Sequence, residues 1–425
     1  MNTVKKILVR GPALSRSGYG EQTRFALRSL KAYKDRFDIF LIATNWGKTG
    51  WVADDTEERK WIDDLLHKTN VYAQSGGHFD MSLQVTIPNE WEQLAPINIG
   101  YTAGIETTKV APEWLAKSSI MDKIIVVSNH SKNVFESTVF SGFNQQTGQP
   151  IEGMRCQTPI DVVNYPVREH KAEKIDLDFI DTDFNFLAVA QWGPRKNIEN
   201  TISWFMEEFI DQEVGLVLKV NTMRNSVMDK NWTKTSLKRV LRRPQYKNRK
   251  CKVYLIHGNM SDEEMTGLYT HPKINAMISL AHGEGYGLPI FEAAYNALPI
   301  IATNWSGHLD FLYKPIKQKN GKAKNKSMFA KVNYSLAPVQ KEVVWPGVLV
   351  EDSMWAFADQ GSYKMRLREV HKDYGRFKSQ AKQLQKWILK EFKAEKLYEQ
   401  FSDSIYKPSP EAQKWSSKIN EMEIL

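Results

Sequence analysis

Residues 282–292 read HGEGYGLPIFE, with three glycines in five positions, one proline, and glutamates at positions 284 and 292. The preceding stretch, 274–281, is short and apolar like a buried strand, and 288–297 has helical composition. The glycines therefore fall on a turn that leads from a strand into a helix. In open α/β sheets, such turns lie at the carboxyl edge, where ligands bind.

The residue types on this turn indicate which ligand it would bind. Gly285 and Gly287 let backbone amides approach a ligand, and Pro289 suits the first turn of a helix, whose free amides favour an anion such as phosphate. Glu284 and Glu292 can flank the pocket from opposite sides and would bind neutral hydroxyls. The combination predicts a nucleotide-sugar site, with Glu292 on the ribose and Glu284 near the transferred sugar. The alternative is an ordinary tight turn with a helix-capping glutamate.

Short apolar runs alternate with amphipathic stretches along most of the chain, which is typical of parallel sheets buried on both faces. The strands expected in the first half are 5–11, 37–44, 81–88, 97–105, 123–128 and 161–167. Those expected in the second half are 184–192, 214–221, 252–258, 274–281, 299–304 and 347–351. The pattern predicts an α/β protein with two Rossmann-like, doubly wound domains.

We expect the two domains to meet in the charged stretch 169–183. The predicted limits are 1–175 for an acceptor-side domain, 184–380 for a nucleotide-sugar-binding domain, and 381–425 for a C-terminal helical segment that returns to the first domain.

Composition excludes several classes of protein. With 425 residues, 42% hydrophobic and 25% charged, the chain is typical of soluble globular proteins. It lacks both an apolar run long enough for a transmembrane segment and a signal-peptide core, so a cytoplasmic location is expected. The two cysteines have neither metal-ligand nor disulfide spacing, and we assign them no chemistry.

The net charge of +9 is concentrated in two places. Nine of the nineteen residues in 234–252 are Lys or Arg, and 314–331 contains seven lysines. These clusters are either a solvated helix face and loop, or a surface that meets a polyanion such as nucleic acid. Peripheral contact with an anionic membrane is the other open alternative.

Three motifs in order resemble retaining glycosyltransferases of the GT-B architecture, family four. The first is the E-x7-E spacing of Glu284 and Glu292 within 279–307, and the second is the loop 189–197, which contains Arg195 and Lys196. The third is 106–114, where Glu-Thr precedes a proline and a tryptophan. The resemblance spans most of the chain, and the three motifs together are far more specific than any one alone.

The resemblance implies roles for individual residues. Arg195 and Lys196 would bind the donor diphosphate, and a glycine-rich loop with Gly18 and Gly20 would lie close to it. The remaining donor-binding positions of the motif are Gly285, Tyr286, Gly287 and Leu288. Without the motif, two adjacent cations or two glycines would indicate only a surface loop.

Glu106 follows the expected strand 97–105, where many relatives carry a histidine. We expect Glu106 to orient or deprotonate the acceptor, although it could equally be a structural cap. The resemblance favours same-face attack assisted by the departing phosphate, so no enzyme nucleophile is named.

Two D-x-D pairs, at 176–178 and 181–183, could hold a divalent ion, but they lie before a strand rather than at its carboxyl end. No metal and no cofactor are therefore expected beyond a nucleoside diphosphate sugar as co-substrate.

Three functions remain open. The first is a retaining glycosyltransferase, whose acceptor is a modified base in DNA, as in phage enzymes of this architecture, or a lipid-linked or polysaccharide acceptor at a membrane. The second is a non-catalytic nucleic-acid-binding protein, and the third is an epimerase or phosphorylase of related architecture.

Overall fold

Two six-stranded sheets, all of whose strands run parallel, form the cores of two lobes. The computed structural model describes residues 4–143, 147–317 and 323–408. Helices cover both sheets, as the alternating pattern predicted, so the expected α/β class with two doubly wound units is confirmed.

The first lobe follows the alternation of strands and helices closely. Its elements are β1 (Lys5–Gly11), α1 (Gly18–Ala32), β2 (Phe37–Ala43), α2 (Glu57–Gln74), β3 (Met81–Val85), β4 (Ile97–Thr102), α3 (Pro112–Ser118), β5 (Lys123–Val126), α4 (Asn129–Ser137), β6 (Phe140–Phe143), β7 (Pro150–Met154) and β8 (Ile160–Val162). The sheet order is β2-β1-β3-β4-β5-β8, and β6 and β7 form a separate hairpin.

The second lobe begins with a strand directly after the expected junction. Its elements are β9 (Phe184–Gln191), α5 (Ile198–Glu208), β10 (Val214–Asn221), α6 (Val227–Leu241), β11 (Lys252–Ile256), α7 (Asp262–Thr270), β12 (Ala276–Ser279), α8 (Leu288–Tyr295), β13 (Ile300–Thr303), α9 (Leu309–Leu312), β14 (Tyr313–Lys317), β15 (Ala323–Ser327), β16 (Ala330–Val332), β17 (Tyr334–Pro338), β18 (Met354–Ala358), α10 (Gln360–Lys372), α11 (Tyr374–Glu391) and α12 (Ala394–Ile405).

The order of the second sheet, β11-β10-β9-β12-β13-β16, determines where a ligand would bind. The chain moves outward from β9 in one direction through β10 and β11, and in the other direction through β12. The loops after β9 and β12 therefore diverge at the switch point, where doubly wound sheets bind ligands at their carboxyl edge. Arg195 and Lys196 follow β9, and Glu284 follows β12.

One predicted strand is wrong. The apolar run 347–351 is not the last strand of the second sheet, because that place is taken by β16. Residues 339–353 instead leave the second lobe between β17 and β18, and Val348 packs in the first-lobe core with Trp91 and Trp114. Asn89 of the first lobe donates a hydrogen bond to the carbonyl of Gly347 at 2.7 Å.

The last helix returns to the first lobe, as expected. Phe401 of α12 packs against Phe25 of α1 with ring centroids 5.1 Å apart, and Arg36 pairs with Asp403 at 2.7 Å. The expected limit between 380 and 381 falls inside α11, whose Gln385 donates to the carbonyl of Tyr295 in the second lobe. The domain limits stay predictions, and 409–425 lie outside the described residues.

Within the ranges that the structure describes, none of the helices combines the length and the apolar character needed to cross a membrane.

Candidate active site

Arg195 and Lys196 sit on a short 3-10 turn, Pro194–Lys196, that connects β9 to α5. The turn ends at Asn197, which adopts a left-handed conformation with φ +52° and starts α5. Pro194 begins the turn, and this local geometry aims two adjacent cations at the carboxyl edge of the sheet.

Four charged side chains meet where the two lobes face each other. Arg195 lies 3.1 Å from Glu284 and 3.3 Å from Glu106 of the first lobe, and it donates a hydrogen bond to the carbonyl of Gly283 at 2.7 Å. Lys196 forms a close ion pair with the other carboxylate oxygen of Glu284. The structure thus brings together the two cations and two of the three candidate carboxylates.

The ion pairs fix the charge states in this cluster. Burial alone would raise the pKa of Glu284, but the charges of Lys196 and Arg195 lower it to about 2. Burial and the charge of Arg195 lower the pKa of Lys196, partly offset by Glu284. At neutral pH, Glu284 is therefore ionised and can accept hydrogen bonds from neutral hydroxyls.

The glycine-rich turn packs directly on the end of β4. A Cβ on Gly283 would collide with the carbonyl oxygen of Glu106, and one on Gly285 would lie 2.6 Å from that of Ala103. Gly287 has φ +89° and starts α8 without a side-chain cap. The glycines are therefore required by close approach between lobes as well as by the turn itself.

Residues after β13 brace this turn, and sequence reasoning did not assign them a role. The Glu284 amide donates to the Ser306 hydroxyl at 2.9 Å, and the Gly307 amide donates to the Glu284 carbonyl at 2.9 Å. Ser306 has φ +86°, a conformation that residues other than glycine rarely adopt. Gly307 belongs to the resembling stretch, but nothing in the sequence indicates that Ser306 holds Glu284.

Glu292 lies apart from the four-residue cluster. It lines a cavity of about 70 Å³ together with Leu288, Glu21 and Arg168, and it accepts a hydrogen bond from Tyr269 at 2.9 Å. Burial raises the pKa of Glu292 to about 7, and the Tyr269 hydrogen bond offsets only part of this effect. The two glutamates of the motif therefore have opposite electrostatic environments.

The remaining candidate positions, Tyr286, Gly18 and Gly20, offer different groups to a ligand. The Tyr286 side chain is buried, with its ring 5.1 Å from that of Tyr165, which leaves only its backbone for a ligand. Gly18 and Gly20 lie in the first turn of α1 rather than in a preceding loop. The Gly20 amide donates to the Ser17 cap at 3.0 Å, and a Cβ at Gly20 would collide with the Ser15 carbonyl.

Among the described residues, no group of three or more His, Cys, Asp or Glu side chains could hold a metal ion. In the D-x-D stretches, Asp176 accepts from the Asp178 amide at 2.8 Å, and Asp181 accepts from the Tyr254 hydroxyl. That the reaction needs no metal stays a prediction.

The two basic clusters form separate surfaces. In 234–252, Arg239 and Arg243 both pair with Glu199, whereas Lys234 and Lys238 are exposed. In 314–331, β14 and β15 form a hairpin with lysines directly opposite at 314 and 326, and 318–322 lie outside the described residues.

Solved structures share this two-lobed arrangement. The Anabaena protein Alr3699/HepE, solved in complex with UDP and glucose, aligns over 94% of this chain and 99% of its own with a TM-score of 0.55 and 13% identity. The sucrose-phosphate synthase of Thermosynechococcus elongatus aligns over 94% and 98% with a TM-score of 0.57 and 12% identity. At this identity the similarity defines the fold, which is the GT-B architecture.

Sequence comparisons reach less far. No protein-family model matches the chain. The serotype-specific mannosyltransferase WbdA of Escherichia coli is 32% identical over 120 residues, which are 28% of this chain and 13% of that protein. The match leaves most of both chains unaligned.

Proposed function

We propose that the protein transfers a sugar from a nucleotide-sugar donor to an acceptor hydroxyl, with retention of the anomeric configuration. The observation that carries this proposal is the meeting of Arg195, Lys196, Glu284 and Glu106 where the carboxyl edges of two Rossmann-like lobes face each other. Cations at this edge suit a diphosphate, and carboxylates suit sugar hydroxyls.

The two cations would act on the leaving group. As the bond between the anomeric carbon and the phosphate oxygen breaks, negative charge grows on the departing diphosphate. Arg195 and Lys196 are half-buried and held in place by ion pairs, so they stabilise that charge without reorganising. The proposal assigns them to the diphosphate and assigns the amides of Gly285, Gly287 and Leu288 to its oxygens.

The carboxylates would bind the neutral parts of the donor. Glu284, ionised beside the cations, accepts hydrogen bonds from the transferred sugar. Glu292, in the cavity with Tyr269, accepts from the ribose. The transferred sugar and the ribose flank the diphosphate in such a donor, which matches the position of the cations beside Glu284 and of Glu292 one turn into α8.

Glu106 is proposed to orient the acceptor. It reaches Arg195 from the first lobe at 3.3 Å, so it links the acceptor side to the diphosphate side. The acceptor oxygen bonds to the anomeric carbon on the face from which the diphosphate leaves, and the hydroxyl proton passes to a departing phosphate oxygen. This route leads to retention without an enzyme nucleophile and requires no metal. The expected compartment is the cytoplasm.

Two comparisons support the donor class. Alr3699/HepE was solved with UDP-glucose, and WbdA is described as a mannosyltransferase. We therefore expect a nucleoside diphosphate hexose as the donor.

Isothermal titration with a panel of nucleoside diphosphates tests the donor site. One of them should bind wild-type protein, and Glu292→Ala should weaken that binding about tenfold or more, because a hydrogen bond to a charged group is lost. The control is Asp211→Ala, which removes an exposed carboxylate between α5 and β10. This variant should bind the nucleotide like wild type. If no nucleotide binds, the proposal is wrong.

NMR of the product then reads the anomeric configuration, and inversion would contradict the proposed route.

The proposed acceptor is a nucleic acid, with a modified base as the reacting unit. Its support is the exposed cations of 234–252 and the lysine-bearing hairpin of 314–331. Like charges placed opposite each other on paired strands destabilise a hairpin unless an anion lies between them. Affinity for duplex DNA should fall steeply between 50 and 200 mM salt, as is typical of phosphate contacts. Binding that does not change with salt would contradict a nucleic-acid acceptor.

One observation favours a second candidate, an acceptor at a lipid surface. Val227, Met228 and Trp232 on α6 are 78%, 60% and 47% exposed, beside exposed Lys230 and Lys234. Apolar and basic residues on one helix are typical of interfacial helices. Co-sedimentation with anionic vesicles, lost on Trp232→Ala, would favour this candidate over DNA.

A further inference from the structure

The loop between β10 and α6, residues 222–226, is partly exposed, and hydrogen bonds fix its backbone. Its anchor is Asp229, which is fully buried in the first turn of α6. The Asp229 carboxylate accepts hydrogen bonds from the amides of Thr222, Met223 and Asn225 at 2.9 to 3.1 Å, and from the Thr222 hydroxyl. His257 lies 3.2 Å from the same carboxylate.

This loop is built at some energetic cost. Asn225 has φ +57°, and burying a carboxylate is unfavourable unless donors compensate for it. Burial would raise the pKa of Asp229, but the hydrogen bonds from Thr222, Asn225 and Met223 lower it. The result is that Arg224 is displayed at a fixed place, exposed to solvent and without an ion pair in the part of the chain that the structure describes.

A loop of the first lobe faces Arg224. A Cβ on Gly50 would lie 3.8 Å from the Arg224 carbonyl, and the next residue, Trp51, is 58% exposed. Arg16 fixes this loop, because its amide donates to the Gly50 carbonyl at 2.8 Å and its Nε donates to the Trp51 carbonyl at 3.1 Å. An exposed indole and a free guanidinium are thus held on opposite lobes of the protein.

Both loops follow the carboxyl ends of parallel strands, β2 in the first sheet and β10 in the second, so they lie at the same sheet edges as the four-residue cluster. On the first lobe, the Trp46 ring contacts the Tyr19 ring at a tilt of 33° with centroids 4.0 Å apart, and the Tyr19 hydroxyl lies 2.7 Å from that of Thr102 at the end of β4. On the second lobe, Gln191 donates to the Thr222 carbonyl at 3.0 Å, four residues before Arg195. Trp51 and Arg224 therefore lie on loops that approach each other across the two lobes, at the edges where transfer would occur.

We propose that Trp51 and Arg224 form a clamp for one extruded nucleotide of a nucleic-acid acceptor, with the base stacked on Trp51 and its phosphate paired with Arg224. This inference rests on the proposed transfer function and specifies the acceptor side of it. A base must leave its stack before an enzyme can reach it, and the extruded unit has both a flat apolar face and a negative charge. An indole and a guanidinium match those two features.

Fluorescence anisotropy with labelled single-stranded and duplex DNA, at several salt concentrations, tests the clamp. Trp51→Ala should weaken binding of the single strand about tenfold. Arg224→Ala should reduce the slope of log affinity against log salt by about one, as expected for one lost phosphate contact. The matched controls are Trp345→Ala, which removes an equally exposed indole (58%), and Arg155→Ala, which removes an exposed arginine that forms no ion pair within the described ranges.

The outcomes separate the clamp from the transfer function. Weaker single-strand binding in Trp51→Ala, a smaller salt slope in Arg224→Ala, and wild-type DNA binding in the two controls support the clamp. Equally weakened DNA binding in all four variants, or unchanged DNA binding in all of them, overturns the clamp. Clamp variants that bind phosphatidylglycerol vesicles less tightly but bind DNA like wild type also overturn it. Titration with the nucleoside diphosphate is run on all variants, and the clamp variants should bind it like wild type. If wild type binds no nucleotide, the transfer function fails while the DNA result still decides the clamp.

Discussion

Glu292→Gln should make the folded protein more stable at alkaline pH, although it removes a residue assigned to the donor. Glu292 is half-buried with a tyrosine hydroxyl as its neighbour, and its partial removal from water raises its pKa from the ordinary 4.5 to about 7. In the unfolded chain, the carboxyl group ionises near its ordinary value. Between pH 4.5 and about pH 7 the folded state binds more protons than the unfolded chain, so the stability of the wild-type protein falls as the pH rises.

The magnitude follows from the difference between the two pKa values. Ionising Glu292 in the folded protein is disfavoured by at most about 3 kcal/mol relative to the unfolded chain. Glutamine has nearly the same shape, keeps an acceptor for Tyr269 and carries no charge at any pH. The variant should therefore be more stable than the wild type by less than about 1 kcal/mol at pH 5, and by up to about 3 kcal/mol at pH 8.

Urea denaturation at pH 5 and pH 8 measures this difference, with Glu213→Gln as a control at an exposed site just before β10. The same samples, titrated with the nucleotide that binds wild type, should show weaker binding in Glu292→Gln. A stability difference of equal size at both pH values would refute the argument, because it would mean that Glu292 does not ionise within this range in the folded state. If Glu292→Gln is more stable than wild type but binds the nucleotide less tightly, the glutamate is present for its ligand rather than for stability.

The remaining predictions concern the seam between the lobes and its support. Glu284→Gln leaves two half-buried cations with one carboxylate, so it should destabilise the protein by about 3 kcal/mol at neutral pH in urea denaturation. Because the pKa of Glu284 is low, this difference should shrink as the pH falls below 4.5 toward 2. Gly285→Ala should abolish nucleotide binding in calorimetry, since its Cβ would lie 2.6 Å from a backbone oxygen of the first lobe, whereas Gly375→Ala in α11 has open space and should bind normally. Val348→Ala should lower the free energy of unfolding by about 2 kcal/mol, while the exposed Val227→Ala should leave it unchanged.

Local patterns predicted most of the fold because each strand of a doubly wound sheet is short, apolar and followed by a helix. The bounds of β1 and β10 match the expected 5–11 and 214–221. The error at 347–351 has a physical cause. Val348 is apolar because it packs in the core of the other lobe, while the true sixth strand, Ala330–Val332, has only three residues and gives no periodic signal.

The candidate site was predictable where it depends on neighbours in sequence. The glycine turn, the proline and the cation pair follow from position relative to a strand. The ion pair between Glu106 and Arg195 joins residues 89 positions apart on different lobes, and only the assembled fold brings them within 3.3 Å. The same is true of Asp229, which the sequence does not distinguish from any other acidic residue near the start of a helix.

The opposite environments of the two motif glutamates explain why the spacing alone does not describe the site. Glu284 is held ionised by two cations and adds stability at neutral pH, so a purely structural role could account for it. Glu292 is not held in this way: its ionised form is disfavoured by burial, and a neutral side chain at this position would make the fold more stable. A residue whose charge opposes folding needs another reason to be present, and a hydroxyl-bearing ligand that donates hydrogen bonds to the carboxylate supplies one. Glu292 is therefore the position where a structural explanation and a binding explanation make different predictions.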